Sequence, residues 1–175
     1  MDKKLRNWQI GGFIFTAALG TLLHFLYDWS GGNTAIALIS AVNESTWEHM
    51  KLLFVPLFVF SLTEYRFAGK TRGDFWCIKL SGTLLGLLLI PTLYYGYTGA
   101  FGVSADWFNI SIFYITAAAV FLWEGTHFGR AEPCLSPKLC FAVLIIIAIA
   151  FAVFTFFPSH IPLFRDPLTM EYGRV

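Results

Sequence analysis

Five stretches of the chain are mostly apolar over about 20 residues, the length a helix needs to cross the hydrocarbon of a bilayer. They cover 9–28, 46–66, 75–97, 107–128 and 139–158. Between the first two, the apolar part of 33–42 is too short to cross and predicts a re-entrant or interfacial helix. The predicted fold is therefore all-α: a polytopic membrane bundle of five transmembrane helices plus one short helix. It forms a single integral membrane domain over 1–175, with an extracytoplasmic tail at 159–175. In the first span Gly12, Thr16, Gly20, His24 and Asp28 recur every four residues, which predicts a small-to-polar stripe turned into the bundle. Gly82 and Gly86 form a small-residue pair in the third span, and Pro56 and Pro91 predict kinks in the second and third. The fifth span is apolar all round and reads as a lipid-facing anchor.

Composition agrees with the pattern. Hydrophobic residues make up 57% of the 175 and charged ones only 13%, where soluble domains carry about 25%. The net charge is +1 and no basic stripe is present, so nucleic-acid binding has no support. Lys3, Lys4 and Arg6, then Arg66, Lys70 and Arg72, then Arg130 and Lys138 fall on one side of the predicted spans. The opposite loops, 30–45 and 98–106, have no Lys or Arg, although the tail carries Arg165 and Arg174. The positive-inside rule then predicts a multi-pass cell-membrane protein with a cytoplasmic N-terminus and an extracytoplasmic C-terminus. Trp8, Trp29, Trp47, Trp76, Trp107 and Trp123 fall at or near span ends, where an indole keeps its ring apolar and its N–H wet.

Candidate chemistry concentrates in Asn43-Glu44-Ser45-Thr46-Trp47-Glu48-His49-Met50-Lys51. The predicted topology brings it to the same face as His24 and Asp28 and as His160, Arg165 and Asp166. Ionisable residues at membrane depth are costly and commonly mark a site, a pair or a pathway. His24, Glu44, Glu48 and His49 are a fair ligand set for a divalent metal, Zn²⁺, Fe²⁺ or Mn²⁺. Without metal, Glu48 and His49, with Asp28, are candidates for acid–base catalysis. Arg165 and Lys51 could hold an anionic headgroup. A plainer reading stands beside this one. Ser45-x-x-Glu48 is a capping box, Glu44 complements a helix N-terminus, and Lys51 can snorkel or pair. A second group is Glu64 with Glu124-x-x-His127, for which ion pairing beside Arg66 and Arg130 is the expectation. Cys77, Cys134 and Cys140 give an odd cysteine count with no framework spacing, and Cys134 and Cys140 near His127 match no common zinc pattern.

The segments His24–Gly31, Asn43–Lys51 and Ile161–Pro167, with Tyr172-Gly173, resemble a small family of bacterial integral membrane proteins, a domain of unknown function. The resemblance implies a chain of five spans and brings no activity or ligand with it. Three functions remain open from the residues. One is a membrane-embedded enzyme acting on a lipid or other amphiphile at the extracytoplasmic face. Another is a small carrier with a proton or cation path through His24, Glu64 and Glu124. The third is a non-catalytic subunit of a membrane complex, with a homo- or hetero-oligomer equally open.

Overall fold

The computed structural model describes residues 3–128, 130, 134 and 136–174. The chain is an all-α bundle, with no strand among the described residues. The elements are α1 (Lys3–Trp29), the short α2 (Thr34–Ala37), α3 (Thr46–Glu64) continued by a π-helical turn (Tyr65–Gly69), α4 (Phe75–Phe101), α5 (Asp106–Phe128) and α6 (Pro137–Phe156). Five of these helices, counting α3 with its π turn, are long and apolar enough to cross a membrane. The protein is thus a multi-pass membrane bundle. One end holds the first turns of α1, α4 and α6, and will be called the Lys79 end. The other holds Trp29, the start of α3 and the tail, and will be called the His24 end.

Helix α3 is the centre of the bundle, packed against α1, α4, α5 and α6. That explains its sequence: Leu52, Leu53, Phe54, Leu57 and Phe60 point in several directions, and all are buried. Helix α6 is the opposite case. It is the most apolar of the five, yet only 17% of its span is buried, and Ile145, Ile146, Ile149 and Val153 face outward. In lipid such exposure carries no hydrophobic penalty.

Glycines set how closely the helices approach. A Cβ on Gly20 of α1 would stand 2.9 Å from the backbone oxygen of Leu52 in α3. One on Gly12 would meet Phe60 and Phe121, and one on Gly86 would meet Leu53 at 2.7 Å. The predicted stripe of α1 holds for Gly12, Thr16 and Gly20, which are buried, and then leaves the seam. A four-residue spacing drifts about 40° per step, so Asp28 lies about 160° round the helix from Gly12. Leu23 and Tyr27 take the buried positions instead, His24 sits at the edge of the seam, and Asp28 is exposed. Tryptophans divide as well. Trp29 and Trp107 are exposed, whereas Trp76 is buried and Trp47 packs on Phe151, Phe154 and Phe164.

The tail folds back over the His24 end. Pro162–Phe164 forms a 3₁₀ turn, and Tyr95 donates to the Pro162 carbonyl (3.0 Å). Asn43 Nδ2 donates to the Gly173 carbonyl (2.8 Å). Arg174 donates to Thr34 Oγ1 (2.7 Å) and the Gly32 carbonyl (2.9 Å).

Gly20→Val should force α1 from α3 and cost about 1–3 kcal/mol, read as a lower unfolding midpoint in detergent. Gly11→Val, one residue from the Gly12 seam with nothing within 4 Å of its Cβ position, should leave the midpoint unchanged.

Candidate functional site

Charged side chains enter this bundle at two levels. At the His24 end, Lys51 of α3 is fully buried and Glu48 almost so. Lys51 Nζ lies 2.5 Å from Glu48 Oε2 and donates to the Ala37 carbonyl of α2 and to Thr155 Oγ1 of α6, both at 2.8 Å. The Thr155 hydroxyl donates to Glu48 Oε1 (2.8 Å), and the Val42 N–H donates to Glu48 Oε2 (3.2 Å). All three ammonium protons and both carboxylate oxygens are therefore engaged. This corrects two sequence expectations. Glu48 is closed off from the histidines, because adjacent helical residues point about 100° apart, and Lys51 has no route to a headgroup. Only half of the predicted capping box forms: Ser45 Oγ accepts from Glu48 N (3.4 Å), but Ser45 N donates to Asn43 Oδ1 (2.9 Å). Thr155 was missed, being a lone hydroxyl in the most apolar span.

At the Lys79 end, Lys79 of α4 lies 2.5 Å from both Glu64 Oε2 of α3 and Glu124 Oε2 of α5. Gln9 of α1 donates to Glu64 Oε1 (3.2 Å). All four side chains are buried, and the Lys79 ammonium is ringed by Phe75, Phe121 and Phe128 at 5.4–5.7 Å. The glutamates thus pair inside the bundle, not with Arg66 and Arg130. Gly82 makes this possible, since a Cβ there would stand 2.9 Å from Glu124 Cγ. Lys79 is the residue that sequence reading passed over. The available signal was a third charge, of opposite sign, at the depth of Glu64 and Glu124. His127 turns away, with Nδ1 on the Trp123 carbonyl (2.8 Å) and its ring stacked on Trp123.

A third polar cluster, at the His24 end, is open to solvent. Glu44 Oε1 lies 3.7 Å from His24 Nε2, and its Oε2 lies 3.5 Å from His49 Nε2. One ligand atom from each residue falls within 4.8 Å of the other two, with side-chain exposures of 29–41%. His49 Nδ1 faces the Ser45 carbonyl at 3.0 Å. The carbonyl there accepts from an N–H on Nδ1, which turns Nε2 toward Glu44. His24 Nδ1 is buried without a partner.

The chain holds this cluster from both sides. The Ser40 hydroxyl is inserted into the backbone ladder of α1 beside His24, accepting from Tyr27 N (3.0 Å) and donating to the Leu23 carbonyl. On the other side, buried Asp166 of the tail accepts from Glu44 N (3.3 Å). Asp28 and Arg165 are exposed on this end, and Arg165 Nε donates to the Met170 carbonyl (3.4 Å). His160 stacks on Tyr172. The candidate ligand set is thus His24, Glu44 and His49, without Glu48.

The match to known families runs the length of the chain, over residues 1–174. The chain belongs to the Family of unknown function (DUF6512). No curated protein and no solved structure matches this DUF6512 chain. The family therefore brings no assigned residue to either buried ion cluster or to the open one.

Breaking the Lys51–Glu48 pair from one side leaves a buried charge without its partner. Lys51→Met should cost about 3–5 kcal/mol. The Glu48→Gln, Lys51→Met double variant should recover most of that, as measured by thermal unfolding in detergent.

Proposed function

We propose that this protein is a membrane-embedded enzyme that acts on a lipid or other amphiphile at the face carrying Glu44. In this reading a divalent metal, Zn²⁺, Fe²⁺ or Mn²⁺, is held by His24, Glu44 and His49. The observation that carries it is the convergence of these three ligands from α1, the α2–α3 loop and α3 at a half-exposed rim. Three protein ligands with solvent access leave room for a water or substrate, as catalytic zinc sites do. A metal there would polarise a carbonyl or phosphoryl oxygen and activate a water.

The chain's own residues would do the rest. The Ser45 carbonyl orients His49, and Asp166 and Ser40 hold the two supporting backbones. Asp28, one turn beyond His24, is the nearby free carboxylate for proton transfer. Arg165 is free to pair with an anionic headgroup. Exposed Phe25 and Trp29 on α1 support a rim beside lipid. We further place this face outside a bacterial cell membrane and the N-terminus in the cytoplasm, on the distribution of Lys and Arg.

The carrier reading is less well supported. Between the two ion clusters α3 presents Leu53, Phe54, Leu57 and Phe60, all buried, an apolar stretch that argues against a charge path along that helix. The subunit reading has one observation in its favour. An apolar groove of about 410 Å³ between α1 and α3 is lined by Lys4, Asn7, Trp8, Gly11, Phe15 and Phe60, away from the histidines.

Elemental mass spectrometry on purified, detergent-solubilised protein tests the proposal. Wild type should carry near-stoichiometric Zn, Fe or Mn. A His24→Ala, His49→Ala double variant should lose it, while Cys140→Ser keeps it. No metal in wild type after reloading with each ion would overturn the metal centre and favour the subunit reading.

A further inference from the structure

At the Lys79 end, three sulfurs meet that none of the preceding chemistry uses. Cys77 and Cys134 form a disulfide. Cys140 is a free thiol, and its Sγ lies 2.9 Å from Cys77 Sγ. All three sulfurs fall within 4.8 Å of one another and are half-buried. The fold explains the meeting. Cys77 is in the first turn of α4 and Cys140 in the first turn of α6. These helices are neighbours that start at the same end of the bundle, and Cys134 lies on the connection entering α6.

We propose that Cys77, Cys134 and Cys140 form a thiol–disulfide exchange site in which Cys77 is the shared sulfur. The Cys140 thiolate attacks Cys77 Sγ. A Cys77–Cys140 bond forms, the Cys77–Cys134 bond breaks, and its electron pair leaves on Cys134 as a thiolate. The step is redox-neutral and needs no outside oxidant. The Cys140 proton is lost to water before attack, and one is regained on Cys134 after it.

Two features favour the step. The attacking sulfur already touches its target, so the reaction is intramolecular. Two helix N-termini carry their positive dipole ends to the place where anionic sulfur is exchanged. The consequence is structural, because the covalent link moves from α4–connection to α4–α6 and releases Cys134 as the thiol available to an external disulfide. Under the orientation proposed above this face is cytoplasmic, where disulfides that form are mostly transient, catalytic or redox-sensing.

The test uses the full-length protein in detergent, with its disulfide intact, treated with iodoacetamide and mapped by non-reducing peptide mass spectrometry. Exchange predicts two wild-type products in proportions independent of protein concentration. One is alkylated Cys140 with a Cys77–Cys134 link, and the other is alkylated Cys134 with a Cys77–Cys140 link. The alkylated Cys134 product should be lost in Cys140→Ser. In Cys134→Ser, reduction and then oxidation with diamide should give the Cys77–Cys140 link within one chain. Alkylation confined to Cys140 in wild type, together with no Cys77–Cys140 link in Cys134→Ser, would overturn the proposal.

Discussion

A buried ammonium in a membrane bundle is costly unless opposite charge and hydrogen-bond acceptors or aromatic faces surround it, because little water is there to complete the shell. Two such ammoniums organise this protein. Lys51 fixes the mouth of the bundle, drawing together α2 through the Ala37 carbonyl, α3 through Glu48 and α6 through Thr155. Lys79 does the same at the other end, joining α4 to α3 and α5, with Gln9 of α1 on the shared carboxylate. Van der Waals packing between helices in lipid is weakly directional. These paired charges are directional, and they set which faces of α3, α4, α5 and α6 must meet.

The open cluster depends on that order. Glu44 stands on a loop that would otherwise be free to move over the end of the bundle. Its position follows from Glu48 and Lys51 anchoring the next turn, from Ser40 bridging the ladder of α1, and from Asp166 holding the Glu44 N–H. Charges that look equivalent in the sequence thus take different tasks. Glu48 and Lys51 hold the frame, while Glu44, His24 and His49 remain half-exposed on it. The sulfur cluster is a separate product of the same frame, since pairing of α4 with α6 brings Cys77 to Cys140.

The sequence by itself determined the class of solvent, the five long apolar helices and the short helix after the first, because hydropathy over about 20 residues is a local property with a strong energetic consequence. It also determined that His24, Glu44 and His49 share one end of the bundle, since topology alternates from span to span. Tertiary structure decided which residues at that end touch. A rotation of about 100° per residue separates Glu48 from His49 and carries Asp28 out of the seam begun by Gly12. Partners such as Thr155, Gln9 and Lys79 are single polar residues in apolar runs, and no local pattern says which distant helix each will face. Helix packing makes that choice, where Gly82 leaves room for Glu124 and where a buried charge has to find every partner it needs.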